Sequence, residues 1–281
     1  MATRKPATAQ ARVTRVLVFV AVLLFAIVAF AQFLRRTSMF FPSRYPEGRW
    51  DVGAWTIVPE AHRFRTDDGV TLHAWLFRAK APDAPLIVWC HGNAGNLTDR
   101  AEMASQLAER GVSVFVFDWR GFGKSEGSAS ENALFHDVRA AFDYARQQLR
   151  AQRIIVYGES IGGPYAAYVA KERKGLVRGV VIENSFPSLR ELGNALYAPL
   201  PLGWTAPFAL RTTAWLNDAG VPVLVMHGKR DQVIPYRLGR KLFDELRVPK
   251  TLLTSETANH AEIPAVEGER YYEAVTAFAK R

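Results

Sequence analysis

The chain has 281 residues, enough for one large α/β domain with a tail to spare, and its 49% apolar and 22% charged content describes a globular protein, not a disordered one. Its formal net charge of +9 would suit a nucleic-acid binder, but residues 1–50 hold eight Lys/Arg and one acid, Glu47, leaving 28 Lys/Arg against 26 Asp/Glu, or +2, for residues 51–281. A nearly neutral body with no basic stripe gives a nucleic-acid partner no support.

Residues 1–15 form a basic tail. From Val16 to Ala31 every residue is apolar, and Gln32 alone interrupts the run before Leu34. Nineteen helical residues, 16–34, span about 28 Å, close to the roughly 30 Å of bilayer hydrocarbon. Ala29-Phe30-Ala31 has the small-x-small form of a signal-peptide cleavage site, so a cleaved leader is the competing reading. The apolar run continues past that site, which favours an uncleaved, single-pass membrane anchor. Four Lys/Arg precede the span and four follow it, so the positive-inside count does not decide orientation. The weight at the extreme N-terminus leans toward an inside tail and an outside domain.

Residues 35–60 are read as linker and lead-in, in which SMFFPSRYPEG (38–48) hugs the membrane surface or packs on the domain. Residues 61–281 form the domain itself. HRFRTDDGVTLHAWLF (62–77) alternates around Asp68-Gly69, a hairpin signature. APLIVWCHG (84–92) is a buried strand running into the loop HGNAGN (91–96). Asn96-Leu97-Thr98 in that loop fits a glycosylation sequon and is read as coincidence. Residues 98–110 have helical spacing with a stop at Gly111, and VSVFVFDWRG (112–121) is a second buried strand. GFGKS (121–125) lacks the glycine at 118 that a phosphate-binding loop requires, because Asp118 stands there. Residues 131–149 make an amphipathic helix.

RIIVYGESIGG (153–163) then places a serine between glycines directly behind an apolar β-run. Such a turn is too sharp for a Cβ on either side of the serine and presents its hydroxyl outward. A helix runs to about Lys171; strands follow at GLVRGVVIEN (175–184), VPVLVMHG (221–228) and KTLLTSE (250–256), with helices at 237–246 and 266–280. Strands that are near-continuous apolar runs, alternating with helices, predict an α/β architecture: a mostly parallel twisted sheet covered on both faces. Residues 185–218 break the alternation with four prolines, two tryptophans and two phenylalanines. They are read as a small helical cap over the strand ends, where open α/β sheets bind ligands, with ordinary covering helix as the alternative.

A serine hydroxyl is a poor nucleophile and needs an adjacent base, which in turn needs an orienting acid. Ser160 follows its strand, Asp231 in MHGKRDQVIP (226–235) lies beyond the strand after the cap, and His260 in SETANHAEIP (255–264) lies beyond the last strand. All three fall at the C-terminal ends of strands, in the order Ser, Asp, His expected of a nucleophile elbow. The glycines of HGNAGN let backbone N–H groups approach, so the amides of Asn93 and Ile161 are the candidate oxyanion donors, with His91 and Gly92 as support for that loop. His62, His73, His136 and His227 are read as surface or structural. Glu183, at the end of its strand, is the alternative acid. Cys90, the sole cysteine, allows no intramolecular disulfide and has no elbow of its own. No metal-ligand spacing appears, so neither metal nor other cofactor is expected.

With FFPSRYP (40–46), HGNAGN (91–96), DWRGFGKSEG (118–127), GESIGG (158–163), HGKRDQVIP (227–235) and NHAE (259–262), the sequence resembles the α/β-hydrolase superfamily, over about residues 38–265. It is most similar to the membrane-anchored branch that includes acylglycerol lipases, lysophospholipid hydrolases and protein depalmitoylases. The resemblance implies Ser160 as nucleophile, Asp231 as acid, His260 as base, and Asn93 with Ile161 as oxyanion hole. Relatives often carry Gly before the histidine; here it is Asn259. The expected activity is hydrolysis of acyl esters or thioesters, possible lipid substrates included, through an acyl-enzyme. A serine peptidase or amidase on the same scaffold, or a non-catalytic membrane-bound binding module, are the alternatives.

Overall fold

The central apolar runs at 86–90, 113–117, 154–159, 177–183 and 223–228 become strands because they are bounded by turn residues and buried on both faces. The computed structural model describes residues 9–199, 203 and 210–281. In chain order its strands are β1 (Phe41–Pro42), β2 (Glu60–Arg65), β3 (Thr71–Phe77), β4 (Leu86–Cys90), β5 (Ala94–Gly95), β6 (Ser113–Phe117), β7 (Ile154–Glu159), β8 (Val177–Glu183), β9 (Val223–Gly228) and β10 (Lys250–Ser255). The helices are α1 (Ala9–Ser38), α2 (Ala101–Glu109), α3 (Ala133–Gln147), α4 (Gly162–Glu172), α5 (Leu189–Leu196), α6 (Thr212–Ala219), α7 (Tyr236–Glu245), α8 (Ile263–Glu267) and α9 (Glu269–Lys280).

One eight-stranded sheet has the order β10-β9-β8-β7-β4-β6-β3-β2. From β10 to β6 all neighbours are parallel, while β3 is antiparallel to both β6 and β2, closing the edge with the expected hairpin. Successive side chains of a strand point to opposite faces, and β4 shows the consequence. Leu86, Val88 and Cys90 join a core beneath α3, α4, α6 and α7, whereas Ile87 and Trp89 join one beneath α2, α8 and α9. Cys90, in the middle of the sheet, is fully buried, and burial pushes its thiol pKa far up.

The register aligns the ends of the strands that matter. Cys90 pairs with Gly158, Glu159 with Glu183, Glu183 with Met226, and Gly228 with Ser255. The loops after β4, β7, β9 and β10 therefore open on one edge. Part of the expected cap, residues 200–202 and 204–209, lies outside the described residues. Of the remainder, α6 is a covering helix: Leu216 is buried and Trp215 packs edge-on against Tyr168 of α4 and Phe135 of α3.

Residues 9–30 of α1 are long and apolar enough to cross a membrane, with a mean hydropathy of 2.8 and no side-chain burial in the domain. The stretch that follows lies on the domain, because β1 pairs in parallel with β5, part of HGNAGN. Met39 and Phe40 are half-buried against the core, while Phe41 and Tyr45 are exposed.

Candidate active site

Ser160 occupies the turn between β7 and α4 with φ +54°, a left-handed conformation that costs a non-glycine residue on the order of 1–3 kcal/mol. The surroundings impose it. Its N–H donates to the Glu183 carbonyl at 2.8 Å, its carbonyl accepts from the Ser185 hydroxyl at 2.7 Å, and Gly163 N–H donates to the same carbonyl at 3.1 Å. The glycines leave no room for a Cβ, as the sequence suggests. Gly158, Gly162 and Gly163 are absent from the positive-φ residues; the strained residue is the serine itself. A Cβ on Gly158 would lie 2.6 Å from Gly163 Cα, and one on Gly162 would overlap the Cys90 carbonyl oxygen. They are needed for close approach, not for unusual dihedrals.

His260 stands after β10. Its Nε2 is 3.1 Å from Ser160 Oγ and its Nδ1 is 2.8 Å from Asp231 Oδ2. The structure thus brings together the serine, imidazole and carboxylate that the sequence placed 100 and 29 residues apart. The Asp231 side chain is buried, and burial alone would raise its pKa. Hydrogen bonds from His227 and His260, the imidazole charge and the Ile234 amide outweigh it and hold the carboxyl well below the usual carboxylate range. Its Oδ1 accepts from the Val233 and Ile234 amides at 2.9 and 2.7 Å.

The amides of Asn93 and Ile161 lie beyond the ends of the paired strands β4 and β7, and among the described residues neither donates to a protein acceptor. Ile161 is also the N-cap of α4, where the helix dipole favours negative charge. His91 is buried, sends Nδ1–H to the Gly92 carbonyl at 2.8 Å and accepts Trp119 Nε1–H at its own carbonyl at 3.0 Å. Burial, helped by the Arg100 charge, lowers its pKa to about 4, so it is a neutral structural imidazole at pH 7. A Cβ on Gly92 would press on Glu159 Oε1 at 3.0 Å. Asn96 is fully buried and donates Nδ2–H to the carbonyls of Ser43 and Glu47 at 3.1 and 2.9 Å, so the sequon is closed to modification in the folded chain.

Glu183, the alternative acid, is not bonded to His260. It takes the Tyr157 hydroxyl proton donor, and Tyr157 also meets the Tyr271 hydroxyl at 2.9 Å. Burial, reinforced by the nearby Glu159 charge, raises Glu183 to about 7. Glu159 itself, also buried, is held down by the Arg100 guanidinium, which grips it at 2.5 and 2.9 Å. Sequence reasoning missed this Arg100–Glu159 pair: Arg100, read as part of a helix-spaced run at 98–110, lies in a 3-10 turn, and nothing local links it to a residue 59 positions on. His227, read as surface or structural, is structural: it is fully buried, and its Nε2–H points at the Ile234 carbonyl 2.9 Å away with Asp231 Oδ2 at 3.4 Å. Asn259, the departure from the family pattern, has a role: its Oδ1 accepts Gln232 N–H at 3.0 Å and His260 N–H at 2.8 Å, tying the acid loop to the imidazole loop. His62 reaches Tyr144 and His136 reaches Asp67, both away from Ser160.

A serine on a strained turn after a central parallel strand, answered from the ends of the last two strands, is the layout of the α/β hydrolases. The sequence agrees: residues 85–202 match the family model described as alpha/beta hydrolase fold, and the chain belongs to that family. It is 30% identical over 248 residues to the protein YfhR of Escherichia coli, covering 84% of this chain and 85% of that one. It is 29% identical over 213 residues to bem46 of Schizosaccharomyces pombe, 70% of each chain. An esterase of Pyrococcus furiosus superposes with a TM-score of 0.69 at 19% identity, over 87% of this chain and 98% of that one.

Proposed function

We propose that the chain is a membrane-anchored serine hydrolase that cleaves carboxylic ester or thioester bonds of acyl substrates through an acyl-enzyme. The observation that carries this reading is the continuous relay Ser160 Oγ, His260 Nε2 and Nδ1, Asp231 Oδ2, with gaps of 3.1 and 2.8 Å. Ser160 Oγ attacks the acyl carbonyl carbon while His260 Nε2 takes its proton. Asp231, anionic and fixed by two backbone amides, orients the ring and offsets the imidazolium charge. The tetrahedral oxyanion is met by the N–H groups of Asn93 and Ile161, each worth about 3 kcal/mol in the transition state. His260 returns the proton to the departing alcohol or thiol; water, deprotonated by the same imidazole, then releases the acid and restores the serine.

The apolar helix α1 supports the tether, and with it acyl chains drawn from a bilayer as substrates. The proposed organisation is a basic tail at 1–15, an anchor at 16–34, a lead-in at 35–60 and the hydrolase domain from 61, with its insert at 185–218. An activity-based fluorophosphonate is the direct test. Covalent labelling of the wild-type chain, absent in Ser160→Ala, together with turnover of p-nitrophenyl acyl esters, is the expected outcome. An unlabelled wild type that cleaves no ester would end this reading, and cleavage of aminoacyl amides in place of esters would transfer it to a peptidase.

A further inference from the structure

We infer that the segment leaving the apolar helix, Met39 to Glu47, is a positioning element of the reacting centre: it holds the loop that offers the Asn93 amide. The inference rests on the serine-hydrolase reading and goes beyond it. Asn93 makes its hydrogen bonds to this segment alone among the described residues. Its carbonyl accepts the Phe41 N–H at 2.7 Å, and its Nδ2–H donates to the Met39 carbonyl at 3.1 Å. The same strap continues along the loop: Ser43 N–H donates to the Gly95 carbonyl at 3.0 Å, and the buried Asn96 amide reaches back to Ser43 and Glu47. On its other side the strap is bonded to Gly123, through Tyr45 N–H at 2.9 Å and the Ser43 carbonyl at 2.9 Å. Gly48 closes it down, since a Cβ there would lie 2.5 Å from Thr98 Oγ1.

The inner side of the loop has its own supports. Leu97 N–H donates to Asp118 at 2.8 Å, and Arg100 reaches the carbonyls of Ala94 and Asn96 at 3.3 Å. None of these touches Asn93. The Asn93 N–H shares its peptide with the Gly92 carbonyl, which the His91 Nδ1–H holds at 2.8 Å; the strap, which begins one residue after α1 ends at Ser38, fixes the other side of the same residue through its carbonyl and side chain, so the direction of the N–H depends on both supports. Ser160, His260 and Asp231 make no hydrogen bond to the strap, so its loss would leave the relay assembled and remove one of the oxyanion donors.

The test uses the full chain in detergent. Phe41→Pro deletes the N–H that holds the Asn93 carbonyl, and Phe41→Ala, which keeps it, is the control for an exposed side chain. Active sites are titrated so that kcat is read per competent centre. Since removing one oxyanion donor costs on the order of 10²–10³ in kcat, a mispositioned donor in Phe41→Pro is expected to lower kcat per site about 10- to 100-fold with KM changed less than about threefold. The affinity for a trifluoromethyl ketone, whose adduct places an oxyanion on the same donors, should fall in parallel, and the pH profile should keep its shape. A purely structural strap would reduce the number of titratable sites and leave kcat per site intact, which would overturn the inference. Should the proline unfold the chain, Asn93→Ala removes only the donor to the Met39 carbonyl, and an unchanged kcat per site there overturns the inference equally. An active, Ser160-labelled wild type with Phe41→Pro matching Phe41→Ala sinks this proposal alone. A wild type that is neither active nor labelled sinks the serine-hydrolase reading and takes the proposal with it.

Discussion

The serine turn and the HGNAGN loop sit at the ends of neighbouring strands, yet they are held in opposite ways. The turn is fixed from within. Its donors and acceptors are Glu183, Ser185 and Gly163, all buried, and its neighbours leave no room for a single methyl group. The carbonyl and side chain of Asn93 are held from outside, by a strap that is largely exposed and continuous with an apolar helix, and only the preceding Gly92 carbonyl is held from within, by His91. Burying a strained residue in the sheet makes its geometry as stable as the domain, whereas a loop bonded to a surface segment is only as well placed as that segment. One half of the site is a property of the fold; the other depends on residues that a domain boundary drawn at residue 61 would discard.

The largest effect should come from the inner half. Asp231→Asn preserves shape but offers the imidazole the wrong partner, and kcat should fall on the order of 10⁴-fold with the chain still folded by circular dichroism. A loss under tenfold would mean that another acid supports His260. Gly162→Ala strikes where the two halves meet, because its Cβ would overlap the Cys90 carbonyl oxygen, the last residue before the loop. Overpacking of this kind costs about 1–3 kcal/mol, which for a domain of this size lowers Tm by about 2–4 °C per kcal/mol. An unchanged Tm would show that β4 yields there more easily than the packing allows. Glu183→Gln leaves the reacting groups untouched and is read in the pH dependence of stability alone. The folded-state pKa of about 7 lies above the ordinary 4.5, so the stability tied to this group is complete below pH 4.5, declines as pH rises to about 7 and is level beyond. The decline approaches about 1.4 kcal/mol per pH unit at its steepest. Urea titrations of Glu183→Gln between pH 4.5 and 8 should show that slope flattened, with the variant the more stable at pH 8. A slope matching wild type would assign it to another group.

Much of this was readable beforehand because parallel strands buried on both faces leave unbroken apolar runs. β4, β6, β7, β8, β9 and β10 fall where such runs stand, and the hairpin of β2 and β3 turns on Asp67–Gly69. The residues brought to the site from strand ends were legible for the same reason: fold and chain order place them. What escaped notice is what no local pattern encodes. The pairing of Phe41 with Ala94 joins two-residue strands more than fifty positions apart. Arg100 meets Glu159 across a comparable gap, and neither residue breaks a periodicity that would mark it. The glycines around Ser160 are legible as positions too tight for a Cβ, but that the strained dihedral falls on the serine itself is not. Asn259 reads as a flaw in a motif until Gln232 is seen opposite it.

Cys90 has a practical consequence. The chain's only thiol is sealed in the central strand, with its ionisation suppressed by burial. Reaction with a maleimide must then wait for the sheet to part, so the wild-type rate becomes a clock for global opening. A second cysteine engineered at an exposed position would carry a fluorophore or spin label against a silent background, without any prior removal of the native sulfur.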